Sequence, residues 1–419
     1  MERQAAGPLR ILYVGWVGFG NLGDDACRDL FIQSVHKAAA ALGRETRVRT
    51  VTHQGISEQA LLEFEPHLVV LGAGSLFTPA YLEPLLLAQR HGIPTATWGT
   101  GIDKLPARHV EALLAGKNAS RAWIGEHAAD LFRRAVAGCA WAGVRGPHTR
   151  RVLMAAGCPD PPLHVCGDPG LLLQPDASGF AAAPANAGGA VVQPADGSQA
   201  PASGGPGGPG SAPRAPAGQE LLSPRLKDWI AARAPIVAVN WGTANNNVFG
   251  GNEQRTAYAL KAAIERLAGI GYNVLLFGVW GPDLSPLRRL AARFDANPSV
   301  TLLNKVPPAP LLAWILQSCR FSVNFKLHAN VFTAAAGRPF ISLAYRSKCY
   351  DFAASVGCSD LVVRFDDPDL VEAVVHRSVM IERKRKRIEE RIARHKRKYA
   401  RRLEALLRNF AALGDPANP

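Results

Sequence analysis

Residues 11–26 read ILYVGWVGFGNLGDDA, and this stretch decides the fold. Ile11 to Gly15 is a short apolar run of the kind a fully buried strand requires. A glycine-rich turn follows through Gly18, Gly20 and Gly23, and a helix is predicted from about Ala26 to Leu42. Strand, glycine turn and helix in that order open a doubly wound α/β domain, which keeps its ligands at the C-terminal ends of its strands. The glycines let a backbone approach a ligand closely. Asn21 and Asp24 are cap-type residues at the mouth of the helix.

Two carboxylates there, Asp24 and Asp25, would repel a pyrophosphate, so the stretch is not read as a dinucleotide site. Sugar hydroxyls suit them better. The alternation continues downstream, with apolar strands predicted at 68–71, 95–98, 141–145 and 163–166. Each hands over to a polar or glycine-bearing loop. Gly74 and Ser75, then Gly99 to Gly101, Arg145 and Asp168 therefore fall where an α/β sheet holds its site.

The composition then breaks. Between Asp176 and Gly218, 30 of 43 residues are Ala, Gly or Pro. Such a stretch cannot bury enough apolar surface to offset its ordering entropy, and is expected to be a disordered linker. A second alternating run follows, with strands at 236–240, 273–277, 300–303, 321–324 and 340–343. Its centre is Ser322-Val323-Asn324-Phe325-Lys326-Leu327-His328-Ala329-Asn330. A strand ends at Asn324, and a buried helix starts at Leu327 and closes at Gly337 and Pro339. A helix N-terminus offers free N–H groups and the positive end of its dipole to an anion. Lys326 adds a fixed charge and His328 a group that can move a proton.

The chain of 419 residues is long enough for two domains. No apolar run reaches the ~18 residues of a membrane helix, and no signal peptide is read at the start. Seven scattered cysteines without a C-x-x-C pair argue for reduced thiols and against a metal site or a disulfide framework. The net charge of +14 is concentrated: residues 382–402 hold 12 Lys or Arg against 3 Glu. A surplus of that size in one helix is no basis for assigning nucleic-acid binding to the folded body. The same helix carries an apolar stripe through Ile381, Ile388, Ile392, Tyr399, Leu403 and Phe410. Two readings stay open: the stripe packs on the protein with its charges in water, or the helix touches anionic lipid head groups.

Three ordered segments carry a resemblance. GFGNLGDDA (18–26), VLGAGSLF (70–77) with WGTGI (98–102), and FKLHANVFTAAAGRPFISLAYRSK (325–348) are similar to motifs of the polysaccharide pyruvyl transferase family. VRG (144–146) and DPGLLL (168–173) fall in the expected order. The resemblance implies an α/β chain of two Rossmann-like, doubly wound domains in a GT-B-like arrangement, here with a C-terminal basic helix. The expected boundaries are 1–175 for the acceptor-side domain, 176–218 for the linker, 219–375 for the donor-side domain and 376–419 for the basic helix and tail. The implied activity moves the enolpyruvyl group of phosphoenolpyruvate onto saccharide hydroxyls, with no metal and no cofactor.

By the same resemblance His328 and Asp24 are the catalytic candidates. Lys326, Arg145, Lys348, Asn21, Gly74, Ser75 and Asn324 are the substrate-binding ones. The implied acceptor is a saccharide or lipid-linked glycan, and the implied location cytoplasmic, with peripheral contact at the inner membrane face as the lipid-binding variant. One departure matters: Lys326 stands where the family usually has Arg, which keeps charge but loses bidentate geometry. The competing readings are a GT-B nucleotide-sugar glycosyltransferase and a family member with lost or changed catalysis.

Overall fold

The computed structural model describes residues 7–52, 55–160, 162–178, 221–411 and 413. Most of the Ala/Gly/Pro-rich segment expected as a linker lies outside the described residues.

The first half runs β1 (Leu9–Val14), α1 (Leu22–Ala40), β2 (Thr46–Val51), α2 (Glu58–Phe64), β3 (Leu68–Leu71) and α3 (Pro79–Arg90). It continues β4 (Thr95–Thr100), α4 (Ala107–Leu114), α5 (Glu126–Ala137), β5 (Cys139–Val144), α6 (Pro147–Ala155) and β6 (Leu163–Val165). The second half runs α7 (Pro224–Ala231), β7 (Ile236–Asn240), α8 (Glu253–Gly269), β8 (Asn273–Phe277), α9 (Leu284–Ala291) and β9 (Val300–Leu302). It ends α10 (Ala309–Gln317), β10 (Phe321–Asn324), α11 (Leu327–Ala335), β11 (Phe340–Ala344), α12 (Ser347–Ser355), β12 (Val362–Arg364) and α13 (Leu370–Ala411).

Each half forms one parallel six-stranded sheet. The orders are β2-β1-β3-β4-β5-β6 and β12-β11-β10-β7-β8-β9. Central strands such as β1, β3 and β7 are apolar and buried along nearly their whole length, because helices cover both faces of a parallel sheet. In each sheet the order reverses beside the half's first strand: between β1 and β3, and between β7 and β10. Crevices at such reversals are where doubly wound sheets take ligands. Two such halves with their strand ends turned toward each other make the GT-B-like arrangement expected from the sequence.

Several boundaries differ from the sequence reading. Helix α1 begins at Leu22, about one turn earlier than expected, because Asn21 caps it: its side chain accepts from the Gly23 N–H at 3.1 Å. Strand β2 was not anticipated. It is a sheet edge, TRVRTV, in which Arg47 and Arg49 alternate outward and hide the apolar run that would mark it.

The last helix starts at Leu370, ahead of the expected boundary at 376. At 1.5 Å per residue its 42 residues span about 60 Å, and its apolar stripe crosses both halves. Ile381, Ile388, Ile392 and Tyr399 join the core of the second half. Leu403, Leu406, Leu407 and Phe410 pack with Leu9, Ile11, Tyr13 and Phe31 of the first. Of the two readings of the stripe, the structure takes the first: the apolar face is consumed by the protein. Lys396 turns inward as well, donating to the Ala335 carbonyl at 2.6 Å and so closing the C-terminus of α11. Arg383, Lys384, Lys386, Arg387, Arg394 and Arg397 stay on the solvent side. Among the described residues no helix is long and apolar enough to cross a membrane.

Candidate active site between the two sheets

The halves meet through their strand-end loops. Leu22 donates its N–H to the Val279 carbonyl at 3.1 Å. The Trp280 indole N–H reaches the Phe19 carbonyl at 3.1 Å. On the other flank Asp351, from α12, caps α6: one carboxylate oxygen accepts from the His148 and Thr149 N–H groups and the other from the Thr149 hydroxyl. These contacts join the two halves on either side of the loops that carry the candidate residues.

His328 occupies the first turn of α11 and is only 8% exposed. Its imidazole lies against Gly23 of α1, where a methyl group would come within 1.9 Å of the ring Cγ and Nδ1. Gly18, Gly20 and Gly23 fall at G-x-G-x-x-G spacing, yet the third glycine is needed for contact with a histidine from the other half and not for a pyrophosphate. Burial, with Lys348 and Arg145 adding to it against Asp168, pushes His328 down to about 4. The imidazole is therefore neutral near pH 7.

Asp24 sits one residue beyond Gly23. Because Asn21 does the capping, the Asp24 carboxyl is left free in the first turn, 7% exposed and beside Gly74. Burial raises it to about 7, with Lys348 and Arg145 pulling against Asp168 and Asp25. The same three residues, Lys348, Arg145 and Asp168, therefore act on Asp24 and His328 alike. The structure brings four of the candidate residues (Asp24, Arg145, His328 and Lys348) into one cluster.

Arg145 leaves β5 fully buried. Its Nη1 donates to the Gly74 carbonyl at 3.0 Å and its Nε stands 3.7 Å from Asp351. Nε and Nη2 have no hydrogen-bond partner. Gly74 holds this arrangement with a φ of +122°, a value other residues rarely adopt. Lys348 opens α12 and lies 3.5 Å from Asp103, which also pairs with Arg346 at 2.9 Å. Burial works against the Lys348 charge, but Tyr345 and Asp103 outweigh it and hold its basicity above the ordinary value. Neither α11 nor α12 has a side chain capping its N-terminus.

Lys326 is placed differently from the expectation of a free anion ligand. Its ammonium is 3.1 Å from Asp283 and donates to the Thr243 carbonyl, with the Trp280 ring 5.3 Å away. Its backbone N–H donates to Asn240 at the end of β7. Asn324 is not at a cleft surface at all. It is wholly buried, donating to Ser322 at 2.6 Å and Asn330 at 3.1 Å, and so belongs to the interior of the second sheet. Asn21 sits at the junction of the halves, bridged to Trp280. Ser75 is half-buried in the loop after β3.

Sequence reasoning left Asp103, Asp283, Arg346 and Cys27 unassigned and gave Asp168 no specific role. Asp103 and Asp168 stand just past the ends of β4 and β6, and that position was the usable signal; Asp283 lies farther on, in the turn that leads into α9. Cys27, Asp168 and His328 bring a sulfur, a carboxylate oxygen and a ring nitrogen within 4.8 Å of one another. The thiol donates to Asp168 at 3.6 Å, and burial with the neighbouring Asp168 and Asp24 pushes it well above its ordinary value. Within this trio the hydrogen bond shown is that of the Cys27 thiol to Asp168.

The family model described as polysaccharide pyruvyl transferase matches residues 21–347. No match is found among curated proteins. Among solved structures, the chain is similar to S. aureus MnaA in a co-structure with UDP. The identity is 9%, 91% of this chain and 90% of that chain are covered, and the TM-score is 0.53. It is also similar to a protein from Listeria monocytogenes described as a UDP-N-acetylglucosamine 2-epimerase: 8% identity, 92% and 91% covered, TM-score 0.54. At these identities the likeness is one of fold. The family match begins at Asn21, the cap of α1, takes in the Arg145 and Asp168 loops and the start of α11, and ends at Ser347, the first residue of α12; on that span the chain belongs to the polysaccharide pyruvyl transferase family.

Proposed function

We propose that the enzyme transfers the enolpyruvyl group of phosphoenolpyruvate onto two hydroxyls of one saccharide, giving a cyclic pyruvate ketal and inorganic phosphate. The observation that carries this reading is the cluster in the cleft. Two cations held by the fold, Arg145 and Lys348, and the uncapped N-terminus of α11 converge with two proton-moving groups, Asp24 and His328. A donor with one carboxylate and one phosphate needs such cations, and its chemistry needs such proton carriers.

The vinyl carbon takes a proton, leaving cationic character at the carbon that bears phosphate. One sugar hydroxyl attacks that carbon, the carbon–oxygen bond to phosphate breaks, and the second hydroxyl closes the ketal. Two hydroxyl protons are released: one balances the proton now in the methyl group and one leaves on phosphate. Asp24, raised to about 7, holds or accepts a proton at neutral pH and serves as the base for the acceptor. His328 starts neutral. Donor charge offsets Arg145 and Lys348, raises the imidazole's affinity for a proton and lets it protonate the vinyl carbon or the departing phosphate. Lys326 supports the floor of the donor side through Asp283 and the Thr243 carbonyl.

The test is phosphate release from phosphoenolpyruvate that depends on a saccharide acceptor, together with detection of the ketal on the product. His328→Ala should lower kcat by about 10²–10⁴-fold. Phosphate release without an acceptor, or none with a broad acceptor panel, would count against the reading. A lipid-linked acceptor is the finer form of the proposal, with the outer basic face of α13 meeting anionic head groups by charge alone. Replacing six of its exposed Lys and Arg by Gln should abolish sedimentation with anionic liposomes and spare activity on a soluble acceptor. Unchanged sedimentation would remove the membrane contact.

A further inference from the structure

We infer that Asp168 is the positioning residue of His328: its carboxylate orients the buried imidazole and stabilises its protonated form once the donor is bound. The inference rests on the pyruvyl-transfer reading for its role, and on two unpartnered buried atoms in one cluster for its geometry. One oxygen of Asp168 is fixed in place by the Gly170 N–H at 2.9 Å and the Cys27 thiol at 3.6 Å. Its other oxygen, Oδ2, is buried without a partner, and so is Nε2 of His328. Buried polar atoms left without partners are rare, and here a buried acceptor and a buried ring nitrogen lie in one cluster. Each is what the other lacks.

The rest of the ring is already constrained. Gly23 lies against Cγ and Nδ1, and Phe332, one turn on in α11, has its centroid 6.2 Å away. The charged and titratable groups acting on the imidazole are Asp168, beyond β6, Arg145 at the end of β5, Lys348 on α12, and Cys27 on α1. Asp168 alone among them favours the imidazolium. Arg145 and Lys348 oppose it, and a bound donor's negative charge would offset that opposition. Asp168 then becomes the controlling neighbour, and its loss should be felt in turnover more than in donor binding.

Asp168→Asn is the variant of choice, because an amide oxygen can still accept from Gly170 and keep the turn. The imidazole of His328 is followed by NMR, its resonances identified by their loss in His328→Gln. In wild type the neutral ring should carry its proton on Nε2, and it should titrate at lower pH in Asp168→Asn. The turnover of the variant should fall by about 100-fold, with KM for phosphoenolpyruvate little changed and the alkaline limb of kcat moved to lower pH. A proton on Nδ1 in wild type, or the same titration in both proteins, would overturn the inference. So would a stoichiometric metal that is lost in Cys27→Ser. A wild type with no pyruvyl transfer would defeat the proposed function, while the titration would still decide the pairing. The wild-type tautomer decides it even if the variant fails to fold.

Discussion

At the scale of single residues the site is made by what Gly23, Asn21 and Asp24 each do within one helical turn. Gly23 has no steric room for a side chain because His328 fills it, so Gly23→Ala should push the imidazole from its place. We expect near-complete loss of activity, with the helix itself little harmed since alanine favours helix; unaltered kcat in that variant would refute the contact. Asp24 is held above its usual range, so its proton affinity is higher folded than unfolded. Stability from that group is full below about pH 4 and is lost as pH rises through about 7. Asp24→Asn should therefore melt higher than wild type at about pH 8, converge with it near pH 4, and be inactive. A lower melting temperature at pH 8 would mean the carboxylate is a structural ligand. Lys326 belongs to the opposite class. Asp283 is fully buried beneath it, so Lys326→Met should cost about 3–5 kcal/mol by stranding that charge, measured by urea denaturation, and Lys326→Arg should cost far less. The sequence showed that a histidine and an acid would lie at helix mouths. It could not show that Gly23 and His328, 305 positions apart, touch, or that Asn324 turns inward, because both facts depend on how the halves close.

Among the elements, α13 decides how the two halves are held. Its charges dominate the sequence and its stripe dominates the structure. The spaced apolar residues from Ile381 to Phe410 were visible beforehand, but periodicity cannot say what a stripe packs on. The structure divides it between two cores, with Tyr399 at the crossing, where Gly167 leaves room for its ring. Leu403→Ala, 1% exposed and packed on β1 and α1, should cost about 2–5 kcal/mol. Because the contact joins the halves, the loss should also raise proteolysis at the loops facing the cleft. A change under about 0.5 kcal/mol would show the C-terminal end of the helix to be detached. Strand β2 escaped the reading for the same kind of reason: edge strands alternate, and its arginines masked the apolar half of the pattern.

For the whole molecule, two parallel sheets face each other through loops that the sequence had marked one by one. The alternation of strand and helix was enough to give the fold class, since parallel sheets leave long apolar strands punctuated by glycine. Strand order, and with it the two reversal points, was not legible, because it depends on which strands pair. The strand-end loops bring Gly74, Arg145 and Asp24 from one half against His328 and Lys348 from the other. The central claim is that this cleft is built for a small carboxylate-phosphate donor and not for a nucleotide. Thermal-shift titrations with phosphoenolpyruvate, UDP and UDP-sugars, on wild type and His328→Ala, test it most directly. Phosphoenolpyruvate alone should give saturable stabilisation, growing with concentration as mass action requires and weakened in the variant. Stabilisation by UDP with none from phosphoenolpyruvate would contradict it.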